Sequence, residues 1–158
     1  AEGLEIGGVA IRTFRLNHPG GCHGYSFAKE EKKIVYLTDN EFVIQPEDLF
    51  PDPGNEGNLR NFSPELLEAA RGADLLVADA QYDDREYSLK KGWGHSSCAS
   101  VTDFAIRAQV KNLALFHHDP ESTDRAIDAK IESCCQRASK RGASLDIFAA
   151  REGLELKF

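Results

Sequence analysis

The sequence predicts an α/β fold, on two observations. Residues 63–150 alternate helical stretches with short apolar runs, the pattern of helices laid over a parallel sheet. Upstream, residues 9–39 break into strand-like runs joined by turns, which reads as a meander. At 158 residues, the chain is long enough for a single domain over 1–158 and too short for two ordinary ones.

The elements follow in order. VAIRTFRL, residues 9–16, alternates apolar and polar positions like a half-buried strand. The turn-rich NHPGGCHG leads to a second strand, YSFAK at 25–29, and Glu30 and Glu31 make a tight connection to a third at 33–39. Residues 40–62 hold three prolines and two glycines and read as a long loop, a length more often found at functional or mobile segments. Ser63 and Pro64 supply an N-cap and a first helical residue. Leu66, Leu67 and Ala70 give that helix its apolar face, and Gly72 fits its stop. ADLLVADA, 73–80, is a buried strand by its continuous apolar run. Residues 81–96 are polar and punctuated by glycine, with Trp93 between Gly92 and Gly94. A helix over 97–110 and a strand at 112–116 come next. Asp119-Pro120 opens a further helix, which ends at Gly142. LDIFAA and LELKF close the chain as strands.

The composition narrows the class. Apolar residues make up 41% and charged residues 28%, as in soluble globular proteins. No apolar run is long enough to span a membrane, and AEGLEIGG is not a secretory signal. A net charge of −7 argues against a general nucleic-acid binder, which needs a basic field. It leaves a phosphodiester substrate open, because bound metal ions invert the local field. Cys22, Cys98, Cys134 and Cys135 show no regular spacing, so a reducing cytoplasm is the expected compartment. The sequence contains no Met, even at position 1, which suits a fragment of a longer chain.

Side chains able to bind metal gather at the ends of the apolar strands. His18 follows the first expected strand, Asp39 ends YLTD, Asp79 ends LLVAD, and His117 ends NLALF. In open α/β sheets, ligands bind at the carboxyl edge. Taken singly, each Asp reads as a turn former and each His as a hydrogen-bonded boundary residue; together on one edge they point to a site. His95 stands in GHSS ahead of a helix that Ser96 or Ser97 can cap. It is either part of a plain helix start or an imidazole at a pocket mouth, suited to general acid chemistry. Of His117 and His118, neighbours on a strand that point to opposite sides, one is expected to be a ligand and one a bystander. Asp119 is expected to cap the helix from Pro120.

HPGGCHGYSF, IVYLTDN, DLLVADAQYD, GHSS and LALFHHDP together resemble, in order and spacing, the second half of metallo-β-lactamase-fold hydrolases. The resemblance is to ribonuclease Z and related cyclic-phosphodiester hydrolases, and it runs from about residue 9 to the end. It implies half of an αββα sandwich, a mixed sheet with helices on one face. It also implies two divalent metal ions, zinc or manganese, with His18 on one, His117 on the other and Asp39 between them. His95, 22 positions before His117, is then the proton donor to the leaving group, with Asp79 as its partner. Asp79 stands where such chains tend to carry Glu. The loop at 40–62 has no counterpart in the resemblance, and the insertion that clamps transfer RNA is not visible. The family's His-x-His-x-Asp-His string, which supplies ligands to both metals, is absent.

With two ligands per metal where a catalytic zinc has at least three, this stretch alone is expected to bind metal poorly and to be inactive. The expected partners are a small-molecule or nucleotide phosphodiester and either a complementary N-terminal half or a second copy of the chain. Rival readings are hydrolysis of a lactone, thioester or amide, and a non-catalytic binding module of the same fold. A doubly wound nucleotide-binding domain is disfavoured, since no Gly-rich phosphate loop follows any strand.

Overall fold

The computed structural model describes residues 3–44 and 60–157. Seven strands form one sheet in chain order: β1 (Gly3–Ile6), β2 (Val9–Leu16), β3 (Cys22–Lys29), β4 (Lys32–Leu37), β5 (Leu75–Asp79), β6 (Asn112–Phe116) and β7 (Asp146–Ala149). The strands from β1 to β4 pair antiparallel, and those from β4 to β7 pair parallel. The helices are α1 (Pro64–Ala70), α2 (Asp84–Leu89), α3 (Cys98–Arg107) and α4 (Asp124–Lys140).

Helices α1, α3 and α4 lie in successive crossovers that each step one strand in the same direction. Right-handed crossovers of that kind place all their helices on one face. On that face Val35, Leu76 and Leu113 form one row across the sheet, and Leu37, Ala78 and Leu115 the next. All six are buried, and they pack with Val101, Phe104 and Cys134 from the helices. Phe42 and Phe62 meet the Phe104 ring at 4.7 and 5.3 Å, which ties residues 42 and 62 to α3. Residues 45–59 of the expected loop lie outside the described residues.

One buried ion pair joins the helices. Asp103 on α3 is fully buried and accepts two 2.6 Å hydrogen bonds from Arg137 on α4. Removing one partner of such a pair leaves an uncompensated charge. Asp103→Ala should therefore lower the unfolding free energy by about 3 kcal/mol, read as a fall in the urea midpoint. An unchanged midpoint would show that Arg137 finds water instead.

The opposite face carries no helix among the described residues. Across it run Ile11, Phe27, Ile34 and Leu75 in one row, and Tyr25, Tyr36, Val77, Ala114 and Phe148 in another. Leu4 and Ile6 of β1 are each 59% exposed and Phe116 is 36% exposed.

Several expectations are corrected. Strand β1 was not foreseen; its four residues become a strand by pairing with β2 through the Gly7-Gly8 turn, where φ is 57° and 76°. β3 begins at Cys22 rather than 25, because it pairs with β2 along its whole length. The polar stretch after β5 contains α2, which a capping box between Asp83 and Glu86 starts. Ser63 stands at the N-cap of α1, but its side chain accepts no capping bond. Helix α4 begins at Asp124, not Pro120, and Thr123 caps it. Asp119 instead accepts from Glu121 N–H at 2.9 Å and pairs with Lys90 at 3.1 Å. Residues 154–157 of LELKF are not a strand, for they pair with no edge among the described residues.

Candidate metal and catalytic site

The topology explains why the candidate residues share an edge. β2 is antiparallel to β3 and β3 to β4, so β2 runs in the same direction as the parallel strands. The carboxyl ends of β2, β4, β5 and β6 therefore fall together, with His18, Asp39, Asp79 and His117 at or just beyond them.

Asp39, Asp79, His95 and His117 each present a ligand atom, and these atoms all lie within 4.8 Å of one another. The tightest contact is His95 Nδ1 to Asp79 Oδ2, at 2.6 Å. Asp79 is 1% exposed and also accepts from the N–H groups of Asn40, Gln81 and Ser96. Burial raises the pKa of Asp79, and the hydrogen bond from His95 and its charge oppose that rise. Across the group, His117 Nε2 lies 3.3 Å from Asp39 Oδ1, and both side chains are open to solvent. The His95 and His117 rings are 4.7 Å apart.

Asp39 and His117 share a second feature. Their φ angles are 53° and 56°, in the left-handed region that non-glycine residues seldom occupy. Each turns the chain sharply just beyond a strand end. Strain of this kind persists where surrounding contacts hold it, and it concentrates at functional sites.

His18 borders the group without joining the four. Its ring meets that of His95 edge-on at 5.5 Å, and its Nδ1 accepts from Gly20 N–H at 3.2 Å. Gly94 lies directly against it; a Cβ there would fall 2.3 Å from the His18 ring, and φ of 93° independently demands glycine. His118 turns elsewhere, into a cavity of about 630 Å³ between α4, β7 and the C-terminal residues, where it is lined up with Asp124, Ile127 and Phe148. Burial lowers the His118 pKa.

A polar brace that sequence reasoning missed holds these loops together. Asn17 N–H donates to Asn40 Oδ1 at 3.1 Å and Glu41 N–H to Asn17 O at 2.8 Å, which ties the His18 loop to the Asp39 loop. Ser96 Oγ donates to Asn40 O at 2.6 Å and accepts from Phe42 N–H at 3.0 Å, while Ser97 caps α3. Glu41, 5% exposed, accepts from Gly92 and Gly94 N–H and from the Tyr87 hydroxyl at 2.8 Å. The only hint in the sequence is that Asn40 and Glu41 directly follow Asp39; the Glu41 carboxylate is buried against donors 51 and 53 residues away.

No family model matches the chain. Over 155 residues it is 30% identical to ribonuclease Z from Agathobacter rectalis, which covers 80% of this chain and 51% of that protein. It is 36% identical over 137 residues to ribonuclease Z from Brevibacillus brevis, across 83% of this chain and 43% of the other. The metallo-β-lactamase fold protein YhfI from Bacillus subtilis superposes with a TM-score of 0.69 at 16% identity, over 97% of this chain and 51% of that one. The sheet, its one-sided helices and the His/Asp edge thus define a metallo-β-lactamase-fold protein. Within that fold the chain is ribonuclease Z-like. It spans about half the length of the curated relatives it matches.

Proposed function

We propose that the protein carrying this sequence is a metal-dependent hydrolase of phosphodiester bonds. One observation carries the reading: two imidazoles and two carboxylates converge at the carboxyl edge of the sheet. The side chains that would hold metal, His18, Asp39 and His117, offer a mixed nitrogen and oxygen donor set that suits zinc or manganese. Asp39 and His117, with His18 bordering the group through His95, would hold the metal ions. When bound, the metal ions would supply an activated water and neutralise charge on the phosphoryl oxygens. The rest falls to His95 and Asp79. With Nδ1 held by Asp79, His95 keeps Nε2 available to hold a proton for the leaving oxygen. Buried Asp79 fixes the ring and its tautomer.

Two protein ligands per metal fall short of the usual three, so the site calls for more ligands than these residues offer. The apolar sheet face opposite the helices calls for a covering layer, as packed sheets require. We therefore read residues 1–158 as the C-terminal half of the fold, inactive alone and completed by an N-terminal half, or by a second copy of the chain. Monodisperse monomers in light scattering, with no co-purifying fragment, would contradict that reading. The four free cysteines fit a cytoplasmic setting, and among the described residues no helix is long and apolar enough to cross a membrane.

The test is release of p-nitrophenol from bis-p-nitrophenyl phosphate by the intact protein, with manganese or zinc added and then removed by chelator. Turnover that depends on metal is expected. Hydrolysis of a lactone or thioester in its place would move the assignment within the fold. Stoichiometric metal with no hydrolysis of any of these would favour a binding module.

A further inference from the structure

We propose that the buried Glu41 carboxylate is a positioning residue, which sets the place of His95 by holding the backbone of Gly92 and Gly94. The inference rests on the reading of His95 as proton donor and adds a second carboxylate behind it.

Glu41 is 5% exposed, and a carboxylate is costly to bury unless its oxygens are matched by donors. The donors here are few and specific. Oε1 accepts from Gly92 N–H at 2.9 Å and from the Tyr87 hydroxyl at 2.8 Å. Oε2 accepts from Gly92 N–H at 3.1 Å and from Gly94 N–H at 3.0 Å. The backbone of the same residue is held as well: Glu41 N–H donates to Asn17 O at 2.8 Å, and Glu41 O accepts from Asn17 Nδ2 at 3.0 Å. Glu41 therefore joins three segments, the one before His18, the one after Asp39 and the one before His95. All of these partners lie in this chain.

The bonds matter because of what the glycines carry. Gly92 and Gly94 have φ of 88° and 93°, and a loop with two such residues has many other conformations open to it. The Glu41 carboxylate selects one of them. On its other side Gly94 packs against His18 and Pro19, where a Cβ would lie 2.3 Å from the His18 ring and 2.7 Å from the Pro19 side chain. His95 follows directly. Asp79 fixes its ring at Nδ1, at 2.6 Å, and the Gly94 backbone fixes where the residue enters the site. A general acid works only within hydrogen-bond reach of the leaving oxygen, so the placement of Nε2 governs its worth.

Glu41→Ala in the intact protein should lower kcat on bis-p-nitrophenyl phosphate by about 10–100-fold, with KM and bound metal close to the wild-type values. Glu41→Gln should recover most of that loss, because its amide oxygen can face Gly94 while its NH2 group donates to the Tyr87 oxygen. Glu41→Asp keeps the charge but draws it back by one methylene; it should show the same pattern at smaller size, and it serves in place of Glu41→Ala should that variant not fold. A double-mutant cycle separates positioning from a general loss of structure. In a His95→Ala background the Glu41 change should cost less than about threefold, since the group it places is gone. A second readout is independent of turnover: the proton resonance of His95 Nδ1–H, identified by its absence in His95→Ala, should shift or broaden in Glu41→Ala and return in Glu41→Gln. Full multiplication of the two losses, metal lost in step with activity, or an unmoved His95 resonance would overturn the proposal. An intact protein that hydrolyses no phosphodiester would sink the catalytic reading alone, for the resonance still tells whether Glu41 places His95.

Discussion

His95→Ala in the intact protein should reduce kcat on bis-p-nitrophenyl phosphate by about 10²–10⁴ while bound metal stays close to the wild-type level. The size follows from the role: a general acid that protonates a leaving oxygen contributes in that range. The selectivity follows from the geometry. His95 is carried on a loop after Gly94, with Nδ1 held 2.6 Å from a carboxylate that is 1% exposed. The same contact also occurs where a histidine binds metal, because ligating imidazoles commonly donate their second N–H to a carboxylate. Metal stoichiometry measured beside kcat separates the two. Loss of metal in step with activity would make His95 a ligand. Retention of both would reduce the GHSS segment to the start of α3.

Asp39→Ala should behave in the opposite way, losing metal and activity together. On the proposed reading the Asp39 carboxylate would be a metal ligand, so its loss should remove metal as well as turnover. Even residues that only support ligands cost about 10–100-fold in metal affinity, so loss of this ligand should exceed 100-fold. The change also removes the partner 3.3 Å from His117 Nε2. Competition with a chromogenic chelator measures the affinity, and circular dichroism checks that the fold survives. Metal affinity within a fewfold of wild type would take Asp39 out of the site. Because φ at Asp39 is 53°, Asp39→Gly is a useful companion, as it removes the carboxylate while relieving the backbone. If it too loses metal, the lost carboxylate is responsible, rather than a disturbed turn.

The order of elements was legible because periodicity is local. The continuous apolar runs at 75–79 and 112–116 are strands β5 and β6, buried on the helix face and partly covered on the other. Asp39, Asp79 and His117 stood out because each punctuates an apolar run, a signal visible from a few neighbouring residues. Other features were hidden for an equally physical reason. β1 exists only through pairing, and α2 is polar with its start set by a capping box instead of an apolar face.

What the sequence determined by itself was the class of fold and the set of candidate side chains, since strand periodicity, turn chemistry and ligand types are written in short windows. Tertiary structure alone decided how those side chains meet. It placed His95 against Asp79 and set His18 at the border of the group, across separations of 16 and more residues. It also buried the Glu41 carboxylate among the N–H groups of the Trp93 loop. Burial and hydrogen bonding between distant segments depend on strand order and on crossover hand, and no local window of residues contains either.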